Sequence, residues 1–352
     1  MQLDMHYYAV YALARAAGMK PKSARILAQA SQFVDDALDD KMIYLDSDVA
    51  VLPLPTSHKP LDYANKIAAE QWKIWIPFHF LPGNDPDSTT FTERLVCRKN
   101  SPLAKKICAF AVEEGSGRQG LHLLGIVSHV FADTFSHHGF IGLNREWNKI
   151  INKTLRATNL EKESSVYRYV MAKLDEFRAR GIGTLAEILP VGHGSVATFP
   201  DRPYLKWEYK PEDGRPLIQR DNPKDYLDGC RELHKLFRRF LARHPEHQSP
   251  AGAVGWQKIR GTVAQLLAVQ GSKEVRIEAW KKAIAKKELF PTKRSDNQLN
   301  YNPKMWSANR IREAFFNGTP LGRFDGSLFV QAAWKYQNHV IHDLMPGMGL
   351  FL

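Results

Sequence analysis

The fold of this chain is decided by residues 121–139, LHLLGIVSHVFADTFSHHG. Apolar residues recur in this stretch at helical spacing, which predicts a helix over about 118–138. Residues four apart lie above one another on a helix, so His129, Asp133 and His137 form a polar stripe on an otherwise apolar element. A helix this apolar is expected to be buried, and its stripe then faces a cavity or a metal ion.

The stripe favours a metal ion. A buried carboxylate is costly unless a partner compensates its charge. A divalent cation compensates two imidazoles and a carboxylate together, and ligands of this kind suit zinc. The alternative is a hydrogen-bonded network of His and Asp without a metal. His138 competes with His137 for the third ligand position.

Helical patterns extend on both sides of this stretch and predict a mainly α fold. They cover about 3–18, 21–39, 60–75, 101–114, 164–180, 224–243, 254–269, 273–288, 305–316 and 326–343. Residues 41–56 indicate a short hairpin or an extended excursion. Residues 189–223, rich in Pro and Gly, are expected to be irregular and to close over a site or join two domains. We expect a metal-binding helical domain over 1–205 and a basic helical region over 206–352, which can pack with the first as one domain.

Composition limits the class of protein. The 352 residues are 44% hydrophobic and 24% charged, as in globular domains. Without a bilayer-length apolar run or a signal peptide, we expect no transmembrane segment and a cytoplasmic location, although signal-independent secretion is compatible with the same sequence. Three widely spaced cysteines indicate neither a disulfide framework nor a thiolate zinc site.

The net charge of +12 favours an anionic phosphorylated substrate, nucleic acid or an anionic lipid surface.

The predicted helix at 273–288, KEVRIEAWKKAIAKKE, is basic and amphipathic. Such a helix can lie on an anionic surface. We favour a second arrangement, in which Val275, Ile277, Trp280 and Ile284 pack on the core and the lysines face solvent.

Further side chains that can bind a metal lie in four other segments. Singly, each is more often a structural residue, but together they suggest that several elements converge on one site. These residues are Asp4, His6, Asp35, Asp36, His79, His193 and Asp201.

In their order along the chain, these motifs resemble the mainly helical zinc-dependent phospholipase C and single-strand-specific nuclease superfamily, whose members hold three metal ions in a cleft between helices. The matches are His6 for the early His, Asp36 or Asp35 for the Asp at a helix end, His79-Phe80 for the His-aromatic element, and His129 with Asp133 for the His-x3-Asp pair. The resemblance covers about residues 1–201. It implies a multi-helix bundle of that type with a helical C-terminal extension. The sequence also resembles a bacterial family with the same His-x3-Asp-x3-His-His core and no assigned role.

The sequence departs from the superfamily pattern at three points. The next histidines come four and five residues after Asp133 instead of six. The later His-x3-Glu pair is missing, and the candidates to replace it are His193 with Asp201, or Glu146. Many members also use the amino group of a processed N-terminus as a ligand, and here either Asp4 takes that role or the ligand is missing. The metal count is therefore left between one and three.

The resemblance implies a metal-dependent phosphoesterase, with zinc as the expected metal, acting on a phosphodiester such as a phospholipid or a nucleic acid. Asp36 would be a bridging ligand or general base. The alternative is a non-catalytic, metal-stabilised helical protein that serves as an effector or interaction module. An HD-type phosphohydrolase ranks lower, because its adjacent His-Asp pair occurs only at His342-Asp343.

Overall fold

The computed structural model describes residues 1–59, 62–182 and 191–350, and it is mainly helical, which confirms the predicted fold class. The α-helices are α1 (Val10–Ala16), α2 (Pro21–Asp36), α3 (Ala68–Glu70), α4 (Ile76–Phe78), α5 (Phe91–Leu95), α6 (Pro102–Glu113), α7 (Gly120–Ser136), α8 (Ser165–Ile182), α9 (Asn222–Arg243), α10 (Trp256–Leu267), α11 (Lys273–Ala285), α12 (Ala308–Phe316) and α13 (Asp325–Asn338). Adjoining π-helical segments are Asp4–Ala9 before α1, Gln71–Trp75 before α4 and His339–Leu344 after α13.

Short antiparallel strands form two small sheets. The strands are β1 (Ile43–Asp46) paired with β2 (Val49–Val51), and β3 (Arg156–Ala157), β4 (Lys206–Tyr209) and β5 (Ile218–Asp221) in the order β3-β4-β5. Strands β1 and β2 form the short hairpin that was one of the two alternatives predicted for residues 41–56. The expectation of irregular structure over 189–223 is wrong for β4 and β5. Their strand structure comes from tertiary packing, since Trp207 and Tyr209 are buried against Phe140 and its neighbours. Residues 189 and 190 of that stretch lie outside the described residues.

Helix α7 is buried along its whole length and lies among α2, α6, α9 and α13. Gly125 permits the close approach of α2, because a Cβ at this position would lie 2.5 Å from Ala30 Cβ and 2.6 Å from the Leu27 carbonyl oxygen. Both distances are shorter than van der Waals contact, so a larger residue would force the helices apart. One turn further along α7, the Nδ1 atom of His129 therefore lies within hydrogen-bonding distance of the Ser31 carbonyl oxygen on α2.

The largest apolar cluster draws on both predicted regions of the chain. It includes Met5 and Leu124 from the first region and Trp280 and Met345 from the second. The boundary near residue 205 itself remains a prediction. The three cysteines are buried and free. Among the described residues, the helices are too short or too polar to cross a bilayer.

Candidate metal centre

Three neighbouring groups of histidine and aspartate side chains can each hold a metal ion. The potential ligand atoms within each group lie within 4.8 Å of one another. The groups are His6, His129 and Asp133; Asp35, His79 and His129; and His137, His193 and Asp201. The structure thus brings together residues from the π-helical segment before α1, the end of α2, the turn after α4, helix α7 and the loop before β4.

Asp133 lies at the centre of the cluster. Its Oδ1 atom is 3.1 Å from His6 Nε2. Its Oδ2 atom is 3.1 Å from His129 Nε2 and 3.4 Å from His79 Nδ1. His137, which caps the C-terminal end of α7, places its Nδ1 atom 3.6 Å from the same oxygen. Four imidazole rings therefore surround one buried carboxylate.

Backbone carbonyl groups fix the tautomers of two of these rings. His129 Nδ1 lies 2.8 Å from the Ser31 carbonyl oxygen, and His79 Nε2 lies 2.8 Å from that of Thr56. A carbonyl oxygen only accepts, so in a neutral ring these nitrogens carry the hydrogen and the other nitrogen keeps its lone pair. His79 Nδ1 and His129 Nε2 therefore direct lone pairs towards each other, at 3.3 Å, and towards Asp133.

The same arrangement recurs around Asp201. His137 Nδ1 donates to the His79 carbonyl oxygen at 2.9 Å, and His193 Nδ1 donates to that of Ala197 at 2.8 Å. Their Nε2 atoms lie 3.5 Å and 3.8 Å from Asp201 Oδ1. Lone pairs on nitrogen again face a carboxylate oxygen.

Lone pairs that face one another require either protons or a cation between them. Burial lowers the pKa of His137 to about 4, and burial beside His129 holds the pKa of His6 well below its usual range, so both rings are neutral near pH 7. Burial also lowers the pKa of His129, but Asp133 and Asp35 outweigh it and raise that pKa overall. Within the described residues, the ring nitrogens of His6 and the Oδ2 atom of Asp133 have no hydrogen-bond partner. A divalent cation would satisfy this set of nitrogen and oxygen donors, so the residues fit a metal.

The α-amino nitrogen of Met1 also lies in the site. It is 2.7 Å from Asp133 Oδ1, 3.3 Å from Asp201 Oδ1 and 3.4 Å from His137 Nε2. Burial opposes its charge, but the carboxylates of Asp133, Asp201 and Asp35 raise its pKa to about 11. The Met1 nitrogen therefore lies among the candidate ligands, whereas the Asp4 carboxylate is paired with Arg276.

Three of the predicted ligands, Asp4, Asp36 and His138, lie outside the three groups, because each has a different partner. The partners are Arg276 for Asp4 at 2.7 Å, Tyr301 for Asp36 at 2.6 Å and Asp225 for His138 at 2.8 Å. Neighbouring residues of a helix point in different directions, so only one of Asp35 and Asp36 can face α7. The structure places Asp35 there. Glu146, the possible substitute, is exposed and pairs with Lys149.

Sequence reasoning also missed Arg220, a buried residue of β5. Its guanidinium group donates to the carbonyl oxygens of Ser136 at 2.6 Å and of His138 at 2.8 Å. Carbonyl groups in the last turn of a helix lack partners within the helix, and a cation is favourable there. Arg220 thereby holds the backbone on both sides of His137. No local pattern in the sequence links it to that residue.

Solvent reaches the cluster from its edges. The side chains of His6, His129 and Asp133 are at most 1% exposed, whereas those of Asp35 and His193 are 31% and 19% exposed. A small ligand would therefore meet Asp35 or His193 before it met the central carboxylate.

Fold and site together define a mainly helical protein with buried His and Asp groups that can hold a metal. The chain belongs to the DUF6765 family, a family of unknown function whose model matches residues 1–344. Searches of curated proteins and of solved structures give no match. The resemblance to the zinc phospholipase C and nuclease superfamily therefore remains a prediction.

Proposed function

We propose that this protein is a zinc-dependent phosphoesterase that hydrolyses a phosphodiester. The observation that supports the proposal is the convergence of imidazole rings on Asp133 and Asp201, with the tautomers of His79, His129, His137 and His193 fixed by backbone carbonyl groups. Metal-binding histidines are commonly oriented in this way by a hydrogen bond from the second ring nitrogen. Nitrogen and carboxylate donors of this kind suit zinc.

The cluster would hold metal at two positions. His6, His79, His129 and Asp133 would hold metal in the interior, and His137 with His193 and Asp201 would hold it at the other end. A zinc ion in such a site supplies Lewis acidity, which polarises a phosphoryl oxygen and lowers the pKa of water towards neutrality. The protein side chains orient the donors and exclude bulk water from the buried part.

Asp35 is the carboxylate best placed to act on a proton, a role first expected of Asp36. Its Oδ1 atom lies 3.8 Å from His129 Nε2 and 3.9 Å from His79 Nδ1, and its side chain is partly exposed. A general base must be within reach of both the site and water.

The experiment is a metal analysis followed by an activity panel. Elemental analysis of the purified protein should find at least one zinc ion per chain. Generic phosphodiester substrates should then be hydrolysed by the wild type and by the control Asp343→Ala, which alters an exposed carboxylate, but not by Asp133→Ala. Turnover that survives Asp133→Ala, or protein that is folded, metal-free and unaffected by chelator, would refute the proposal.

The burial of His6, His129 and Asp133 supports a second candidate, a metal-stabilised protein without catalytic activity. Closed sites with only protein ligands are typical of structural zinc. This candidate predicts bound zinc and a zinc-dependent melting temperature with no turnover on any phosphodiester.

A further inference from the structure

Helix α11 and the segment after it carry a concentrated positive charge. Residues 273–294 contain eight basic and three acidic residues, a net charge of +5 out of +12 for the whole chain. Besides Lys273 at the start of α11, five of the basic side chains are exposed and form no ion pair within the described residues. These five, which we call the basic surface, are Lys282, Lys286, Lys287, Lys293 and Arg294.

The basic surface has a defined geometry. Lys282 and Lys286 are four residues apart and so lie on the same side of α11. A 3-10 helix, Arg294–Asn297, packs beside α11. A pocket of about 210 Å³ lies at this junction, and it is lined by Lys281, Lys282, Ala285, Asp296, Asn297 and Leu299. Two lysines and the Asn297 amide thus border a groove with small apolar walls, and the Asp296 carboxylate in its lining is paired with Arg15.

The orientation of α11 argues against insertion into a membrane. A helix that binds a lipid surface buries its apolar side among the head groups. Here Ile277, Trp280 and Ile284 are buried in the protein core, as favoured from the sequence. Val275, expected on the same stripe, is instead 51% exposed. Its exposure leaves one apolar side chain facing outwards among the lysines, too little for an insertion face.

We propose that the basic surface binds the phosphodiester backbone of a nucleic acid. A strand of nucleic acid carries about one negative charge per 3.4 Å, and unpaired lysines gain affinity by releasing its counterions. Lys282 and Lys286 are about 6 Å apart along the helix axis, so several phosphates can be contacted in a row. Binding here needs none of the metal-centre residues. The N-terminal end of α11 nevertheless lies close to that centre, since Arg276 pairs with Asp4, two residues before His6.

The test measures fluorescence anisotropy of a labelled single-stranded oligodeoxynucleotide with the full chain in the presence of chelator. We expect binding by the wild type that weakens between about 50 and 200 mM salt. The variant Lys282→Glu/Lys286→Glu/Lys287→Glu should lose at least about tenfold in affinity, and its salt slope should fall by about 2, which corresponds to three lost contacts at about 0.7 each.

The matched control is Lys105→Glu/Lys106→Glu/Lys153→Glu, which makes the same change in net charge at other exposed lysines. It should bind within about twofold of the wild type, since counterion release depends on local contacts. Chelator removes metal from the metal centre, so binding measured in its presence is separate from the phosphoesterase proposal. If the glutamate variant loses its helical circular dichroism signal, the Lys→Gln version of the same triple variant supplies the comparison.

Three results would overturn the proposal. The first is a wild-type protein that does not bind the oligonucleotide. The second is an equal loss of binding in both triple variants, which would reflect net charge alone. The third is oligonucleotide binding that the α11 substitutions leave intact while they abolish binding to phosphatidylserine vesicles, which would assign the surface to lipid.

Discussion

We expect the substitution Asp133→Asn to abolish the stabilisation that the proposed zinc ion at His6, His129 and Asp133 would give this protein. The asparagine amide keeps the size of the carboxylate, but it has no charge and donates hydrogen bonds where the histidine lone pairs require a cation. A ligand that binds only the folded state adds about 2.7 kcal/mol at about 100 times its Kd. With about 2.1 cal/mol/K of unfolding entropy per residue over 352 residues, each zinc ion should raise the Tm of the wild type by about 4 °C.

The assay is thermal unfolding by circular dichroism, in chelator and then in zinc, for the wild type, Asp133→Asn and Asp343→Asn. The last variant makes the same chemical change at an exposed carboxylate. Its Tm should rise with zinc as much as that of the wild type, whereas the Tm of Asp133→Asn should rise by about 4 °C less, because the group of His137, His193 and Asp201 keeps its own donors. An equal rise in all three proteins would refute the assignment of Asp133 to the metal centre.

Further predictions concern the surroundings of the site and the core. Arg220→Met should lower the free energy of unfolding in urea by about 3 kcal/mol, because two hydrogen bonds from a charged group to helix-end carbonyls are lost. Gly125→Val should lower it by about 2 kcal/mol through overpacking against α2, whereas Gly261→Ala, exposed on α10, should raise it by about 1 kcal/mol. Burial opposes ionisation of Asp296, but hydrogen bonds from Arg15 and other donors hold its pKa below 3.8. The stability that the ionised Asp296 contributes is therefore complete above about pH 4 and is lost as the pH falls through the folded-state pKa. The urea midpoints of Asp296→Asn and of the wild type should accordingly differ near neutral pH and converge in acid.

The part of the site that could be predicted from the sequence rests on local geometry. The spacing of His129, Asp133 and His137 predicted one polar stripe on a buried helix, and α7 carries that stripe. The order of the motifs along the chain predicted His6 and His79 as further ligands. The structure places both beside Asp133.

The features of the site that could not be predicted from the sequence depend on contacts between distant segments. The side of α2 that faces α7 carries Asp35 and not Asp36, and no motif marks the close approach of the two helices at Gly125. The role of Arg220 depends on β5, a strand within a stretch whose Pro and Gly content favoured irregular structure.

The ion pair between Asp4 and Arg276 has a consequence for the time course of synthesis. The two residues are 272 positions apart. At about 5–20 residues per second, a ribosome needs roughly 15–50 s to reach Arg276 after Asp4 has been made. During the last 75 residues of that interval, from Asp201 to Arg276, the segment that bears His6 still lacks this ion pair, although every candidate ligand has already been synthesised. The ion pair that holds the start of the chain therefore comes from a helix that contributes no candidate ligand, and it forms only after all of those ligands have been made.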